Sequence, residues 1–228
     1  MKQWRLRKSK LDQPAALPEY PNLALKLLAL RGIANEEQIR DFLNPDYTKL
    51  HDPFLFKQMR PAVDRIREAI RENQKITIYA DYDADAITAA SVVFLGLKKL
   101  GITAECYIPD RFSEGYGMNL DAVRSIADRG GKLIITVDCG INAVEEAALC
   151  RELGLDLIIT DHHELTGELP SAFAVINPKN PHDAYPFPYL TGVGVAYKLM
   201  QGLFAGEGEK GKGVPQEWEK WLLDLVAI

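Results

Sequence analysis

Three apolar runs in this chain each end on carboxylates or imidazoles, and that repeated junction limits the folds open to it. Ile76-Thr77-Ile78-Tyr79-Ala80 runs into Asp81-Tyr82-Asp83-Ala84-Asp85, Leu133-Ile134-Ile135-Thr136-Val137 into Asp138, and Leu155 to Thr160 into Asp161-His162-His163. Short apolar runs without polar alternation read as strands buried on both faces, as in a parallel sheet. Helix-length segments separate them, so strand and helix alternate and the strands pair in parallel through right-handed crossovers. The expected fold is α/β: a doubly wound, mostly parallel five-stranded sheet with an N-terminal helical region. In such a sheet the carboxyl ends of the strands share one crevice, which is where ligands bind.

Strands are expected at 76–80, 103–108, 133–137, 156–160 and 174–176, with helices at about 86–100, 119–129, 142–153 and 191–204. Before them, Leu23 to Leu30 has helical spacing and stops at Gly32, and Asn35-Glu36-Glu37 opens a short helix that Asn44-Pro45 closes. A third helix starts near Pro61, with Met59, Val63, Ile66 and Ile70 on one stripe. Its arginines, Arg60, Arg65, Arg67 and Arg71, are expected to form a solvated face. The domains expected are a helical region at 1–73 and a catalytic domain at 74–228. Residues 206–213, rich in Gly and Lys, read as a mobile loop, and a last helix starts near Pro215. It ends Leu-Leu-Asp-Leu-Val-Ala-Ile without a cap, so the chain reads as cut rather than finished.

Composition narrows the class. No run of about 18 apolar residues exists, so no transmembrane helix is expected, and the basic N-terminus lacks the apolar stretch of a secretory signal. Cys106, Cys139 and Cys150 are odd in number and read as buried reduced thiols of a cytoplasmic protein. Net charge is −5, so any contact with nucleic acid rests on local basic patches rather than bulk charge.

The junction residues carry the chemistry. A helix cap explains one of Asp81, Asp83 and Asp85 but not three carboxylates in five residues, which repel unless a cation neutralises them. Asp138 precedes Gly140, which frees the backbone for a turn, and Asn142, expected to cap the next helix. Asp138 is placed to bridge two metals about 3.5–4 Å apart. Consecutive His162 and His163 point in different directions, one suited to a metal and one to substrate, with Asp161 holding an imidazole tautomer. Asp and His together favour Mn²⁺, Mg²⁺ or Zn²⁺. The loop Pro109 to Gly117 is long for a βα connection; it offers Arg111 to a phosphate and Tyr116 or Phe112 to a base. Lys179 is a weaker phosphate candidate, and the amides of Gly192-Val193-Gly194 are available to an anion at a helix start.

These motifs, in this order, resemble the DHH phosphoesterase superfamily, and within it the RecJ-type single-stranded-DNA exonucleases. The resemblance runs through Asp81 to Asp85, Pro109 to Gly117, Asp138-Cys139-Gly140, Asp161-His162-His163, Asn177-Pro178-Lys179 and Thr191 to Ala196. It reaches back to Arg31-Gly32-Ile33, Phe42 to Pro45 and Asp52-Pro53. It implies a two-metal, Mn²⁺- or Mg²⁺-dependent 5′-to-3′ exonuclease that releases 5′-mononucleotides in DNA repair and recombination. It implies Asp83, Asp85, Asp138 and His162 as metal ligands, His163 acting with Asp138 at the scissile phosphate, and Asp81 and Asp161 as supports. Arg111, Tyr116 and Lys179 then meet the single-stranded DNA. A helicase and a single-strand-binding protein are implied as partners, and a membrane is not. Two departures stand out: Ala80 and Ala86 replace the usual glycines, and the Gly-Thr-x-x-Asp segment bearing a further ligand lies beyond Ile228. The fragment is therefore expected to be weak or inactive as a processive nuclease. The alternatives are an enzyme acting on short oligonucleotides, cyclic dinucleotides or pyrophosphate, and a non-catalytic nucleic-acid-binding remnant.

Overall fold

A computed structural model describes residues 17–205 and 217–228. It contains two compact units, one up to His51 and one from Asp52 onward.

In the first unit, α1 (Asn22–Ala29) and α2 (Glu36–Leu43) bury Leu17, Leu25, Leu28 and Ile39 together. The Asn35 side chain accepts the Gln38 N–H at 2.8 Å, so the cap expected from the sequence does start α2. The positive φ of Gly32, 83°, lets the chain turn after α1.

The second unit begins with α3 (Met59–Arg71) and continues as β1 (Ile76–Ala80), α4 (Ala84–Lys99), β2 (Glu105–Tyr107), α5 (Leu120–Asp128), β3 (Leu133–Val137), α6 (Val144–Glu152), β4 (Asp156–Thr160), β5 (Ala174–Ile176) and α7 (Gly192–Phe204). The five strands are all parallel, in the order β2-β1-β3-β4-β5. Helices α5 and α6 pack on one face around Tyr79, Ile134, Leu157 and Ile159. Helix α7 packs against both α3 and α4, and all three pack against the strands. The order reverses between β1 and β3, and ligands bind at such a switch point. The expected α/β fold is thus the one observed.

Several local expectations change. Arg65 is not solvated: it is 6% exposed, its Nε meets Asp156 Oδ2 at 2.6 Å and its guanidinium donates to Gln74 Oε1. Arg67 donates to the Leu203 carbonyl. With its apolar stripe covered, α3 still packs a second flank, and the arginine stems cross it to reach partners. Cys106 is exposed because β2 is an edge strand; only Cys139 and Cys150 are buried. The strand expected over 103–108 is confined to three residues for the same reason. The loop at 206–213 and the Pro215 helix start lie outside the described residues. From Trp218 the chain forms a 3-10 turn to Leu222, then a short helical turn, α8 (Leu223–Val226).

Lys198 on α7 is 3% exposed and donates to Gln201 Oε1 at 2.7 Å. Burial lowers its pKa from 10.5 to about 8. Because the folded pKa is depressed, the unfolded chain binds more protons between pH 8 and 10.5. Stability therefore rises with pH across that window, and below it the cost is full, about 3 kcal/mol. Lys198→Met is expected to stabilise the domain at pH 7 and to lose most of that advantage at pH 10. Urea unfolding of both proteins at both pH values checks this; an equal gain at the two would contradict it.

Candidate metal centre

Three turns at the carboxyl ends of β1, β3 and β4 build the site. After β1, Asp81 is 1% exposed; its Oδ1 accepts the Tyr82 N–H at 2.7 Å, while its buried Oδ2 has no hydrogen-bond partner. Desolvation raises its pKa. Asp83 caps α4, accepting the Ala86 N–H at 2.9 Å, so one carboxylate of this cluster does serve as a helix cap. Asp85 reaches from the first turn of α4 to another helix. Its Oδ2 accepts the Gly192 N–H at 2.8 Å and its Oδ1 the Val193 N–H at 2.6 Å. The anion held by the Gly192-Val193-Gly194 amides is therefore this protein's own carboxylate; Thr191 Oγ1 takes the Gly194 N–H.

After β3, Asp138 is held in the left-handed region at φ 59°, unusual for a residue with a Cβ. The turn holds it there: its N–H donates to the Thr160 carbonyl at 2.9 Å, and Thr136 Oγ1 donates to the Cys139 carbonyl at 2.8 Å. Asp138 is 2% exposed, and burial raises its pKa. Opposite it, Gly192 has no side chain; a Cβ there would overlap Asp138 Oδ1, Cγ and Cβ. Cys139 is buried and its thiol pushed well above the ordinary value, which removes it as a nucleophile.

After β4, Asp161 is 1% exposed and fully used. Its Oδ1 accepts from the His162 N–H, the His163 N–H and His163 Nδ1, the last at 2.7 Å, and its Oδ2 accepts the Ile141 N–H at 2.9 Å. Burial works against the charge, but these hydrogen bonds outweigh it and hold its carboxyl below the usual range. With Nδ1–H donated to Asp161, His163 turns Nε2 toward Tyr116 Oη, 3.4 Å away. His162 faces the other way: its Nε2 lies 3.1 Å from Asp138 Oδ1 and 3.6 Å from Asp85 Oδ2. The contact with Asp138 raises its pKa. That approach is off the line of a hydrogen bond, and Asp138 Oδ1 has no hydrogen-bond partner.

A divalent cation fits this arrangement. Asp138, His162 and His163 bring one ligand atom each within 4.8 Å of one another, and buried carboxylate oxygens on Asp138 and Asp81 have no hydrogen-bond partner. Oxygen and imidazole nitrogen together suit Mn²⁺ and Zn²⁺, and the carboxylates suit Mg²⁺.

The loop after β2 approaches from one side. Asp110 Oδ1 gathers the Phe112 and Ser113 amides, and Glu114 accepts the Asp110 N–H and the Tyr107 hydroxyl. Arg111 lies with Cζ 5.1 Å from the Tyr82 ring centroid, Tyr82 meets Tyr116 edge-on, and Tyr116 meets His163 edge-on. Phe112 stands 96% exposed. Lys179 Nζ is 3.3 Å from Glu164.

Two supports escaped the sequence reading. Asn142 does not cap α6; the residue before that helix, Ala143, makes no side-chain cap. Instead Asn142 Nδ2 donates to the Glu164 carbonyl and Oδ1 accepts the Thr166 N–H and hydroxyl, clasping the loop after the histidines. Asn177, 0% exposed, donates to the His163 carbonyl at 3.0 Å. Both partners are distant in sequence, and no local pattern announces them.

Residues 75–228 match the model of the DHH family, N-terminal domain. The chain is 48% identical over 99% of its length to the single-stranded-DNA-specific exonuclease RecJ of Bacillus subtilis, and 34% identical over 99% to that of Escherichia coli. It spans 28% and 40% of those relatives. Among solved structures it resembles exonuclease RecJ bound to manganese, with a TM-score of 0.65 and 32% identity over 75% of this chain and 42% of that one. It also resembles RecJ of Thermus thermophilus in complex with Mn²⁺, with a TM-score of 0.68 and 28% identity over 92% of this chain and 28% of that one. The chain carries the N-terminal DHH domain and belongs to the DHH family, and the relatives it resembles are RecJ exonucleases.

Proposed function

We propose that this domain is the catalytic part of a divalent-cation-dependent hydrolase that removes nucleotides from the 5′ end of single-stranded DNA, releasing 5′-mononucleotides. The observation that carries the reading is the cluster of Asp138, His162 and His163 at the carboxyl ends of β3 and β4, beside the β1/β3 switch point, in a chain 48% identical to a single-stranded-DNA-specific exonuclease. Asp83, Asp85, Asp138 and His162 would hold two cations, Mn²⁺ or Mg²⁺. Bound there, they would supply charge neutralisation for the phosphodiester and a water of lowered pKa.

The side chains do the rest. Asp161 fixes the His163 tautomer and leaves Nε2 to meet the phosphate or its leaving oxygen. Arg111, Tyr116 and Lys179 line the approach of the strand, Arg111 as a bidentate phosphate donor and Tyr116 as a stacking surface. A role in DNA repair and recombination, a cytoplasmic location, and a helicase and single-strand-binding protein as partners belong to the same reading. Among the described residues no helix is long and apolar enough to cross a membrane.

Calorimetric titration with Mn²⁺, beside Asp138→Ala, tests the centre. Stoichiometric binding is expected in the wild type and at least about 100-fold weaker binding in the variant. Digestion of 5′- and 3′-labelled single strands by the protein then reads the polarity. A wild-type domain that takes up no Mn²⁺ would end the proposal.

A further inference from the structure

A cavity of ≈ 540 Å³ opens beside His163, between the turns that follow β3 and β4 and the segment entering α5. The chemistry proposed above uses only its rim, Tyr116 and His163. Met118, Cys139, Ile141 and Ala143 give it an apolar lining, and Tyr116 and His163 stand where it meets the metal centre. Asn142, Glu146, Asp161, Glu164 and Thr166 add polar groups, and among the described residues no lysine or arginine lines it.

The walls are built in advance. The Asn142 clasp on Glu164 and Thr166 fixes one side. On the other, Tyr79 Oη donates to the Gly117 carbonyl at 3.1 Å and accepts Asn119 Nδ2 at 3.2 Å. Asp161 ties the Ile141 amide to the histidine turn. A pocket already formed by hydrogen bonds spends little ordering itself around a ligand.

Its charge selects what enters. Three carboxylates, Asp161, Glu146 and Glu164, outnumber the one imidazole that lines it and disfavour phosphate, which is drawn instead toward the cation site and Arg111. The uncharged, planar part of a nucleic-acid strand is the base, and its exocyclic amines match carboxylate and hydroxyl acceptors. We infer that this cavity receives one unstacked nucleobase adjacent to the scissile phosphate. The inference rests on the nuclease reading and deepens it, because a base held in a duplex must unpair and unstack before it enters. Selectivity for single strands is then a property of this pocket.

Amide NMR spectra of the full chain with Mg²⁺ test the idea, with 2′-deoxycytidine 5′-monophosphate and the base-free 2-deoxyribose 5-phosphate as probes. The nucleotide is expected to shift the amides of Gly117, Ile141, Ala143 and Thr166, and the base-free probe to leave them in place. Ala143→Phe, which fills the cavity, is expected to abolish those shifts while binding Mn²⁺ as the wild type does. Tyr116→Ala, a second variant that leaves the lining otherwise intact, is expected to weaken the nucleotide about 10-fold. Equal shifts from both probes, or none at those four amides in a wild-type protein that binds Mn²⁺, overturn the inference alone. A wild type that binds no Mn²⁺ removes the nuclease reading and this inference with it.

Discussion

Gly192→Ala is expected to bind Mn²⁺ about 100-fold more weakly than the wild type, although residue 192 offers no ligand atom. A Cβ there overlaps the Asp138 carboxylate. Asp138 cannot step back, because its backbone is locked at φ 59° by the Thr160 and Thr136 contacts. If α7 moves instead, the Gly192 and Val193 amides leave Asp85, and a second carboxylate loses its position. Either relaxation spoils the donor set, and the strain itself costs about 1–3 kcal/mol. Gly194→Ala is the control: a Cβ there meets the Leu190 Cδ2 end at 3.2 Å, which a side-chain rotation relieves, and alanine favours the helix by up to about 1 kcal/mol. Calorimetry with Mn²⁺ on both variants reads the difference. Equal, undiminished affinity would show that α7 does not wall the centre.

Gly192 also marks where sequence reading stops. The strands at 76–80, 133–137, 156–160 and 174–176 were legible to the residue, because a strand covered on both faces needs an uninterrupted apolar run. The convergence of Asp81, Asp138 and Asp161 followed from the parallel topology alone. What was not legible depends on partners far along the chain. Arg65 sits among polar residues in its helix, yet it is buried by a pairing with Asp156, 91 residues away. Asp85 reads from the sequence as a metal ligand beside two other carboxylates; its amide donors come 107 and 108 residues later. Asn142 occupies a position that caps helices in many proteins, but the loop after the histidines competes for its side chain and wins. Local pattern names the residue type a site needs, and the fold decides which of its atoms is already taken.

Asp161→Asn is expected to destabilise the domain by about 3 kcal/mol near pH 5.5, measured as urea unfolding without metal. The carboxylate accepts from three backbone N–H groups and one imidazole. An amide offers one acceptor oxygen and puts an NH₂ against buried donors, whichever way it is turned. The pH dependence separates this from a generic packing defect. Asp161 has a folded pKa below its ordinary 3.8, so its contribution is present above that value and fades as pH falls through the folded value. His163 has a folded pKa raised above 6.5, chiefly by its hydrogen bond to Asp161. The share of stability that comes from the charged imidazole is therefore complete below pH 6.5 and is lost as pH rises through the folded value. The gap between wild type and variant should be widest between about pH 4 and 6.5 and narrow on both sides. Some gap persists at pH 8, because the backbone donors remain unpaired when His163 is neutral. A gap that stays constant from pH 3 to 8 would mean that Asp161 fills space rather than holding charge, and the tautomer assigned to His163 would lose its support.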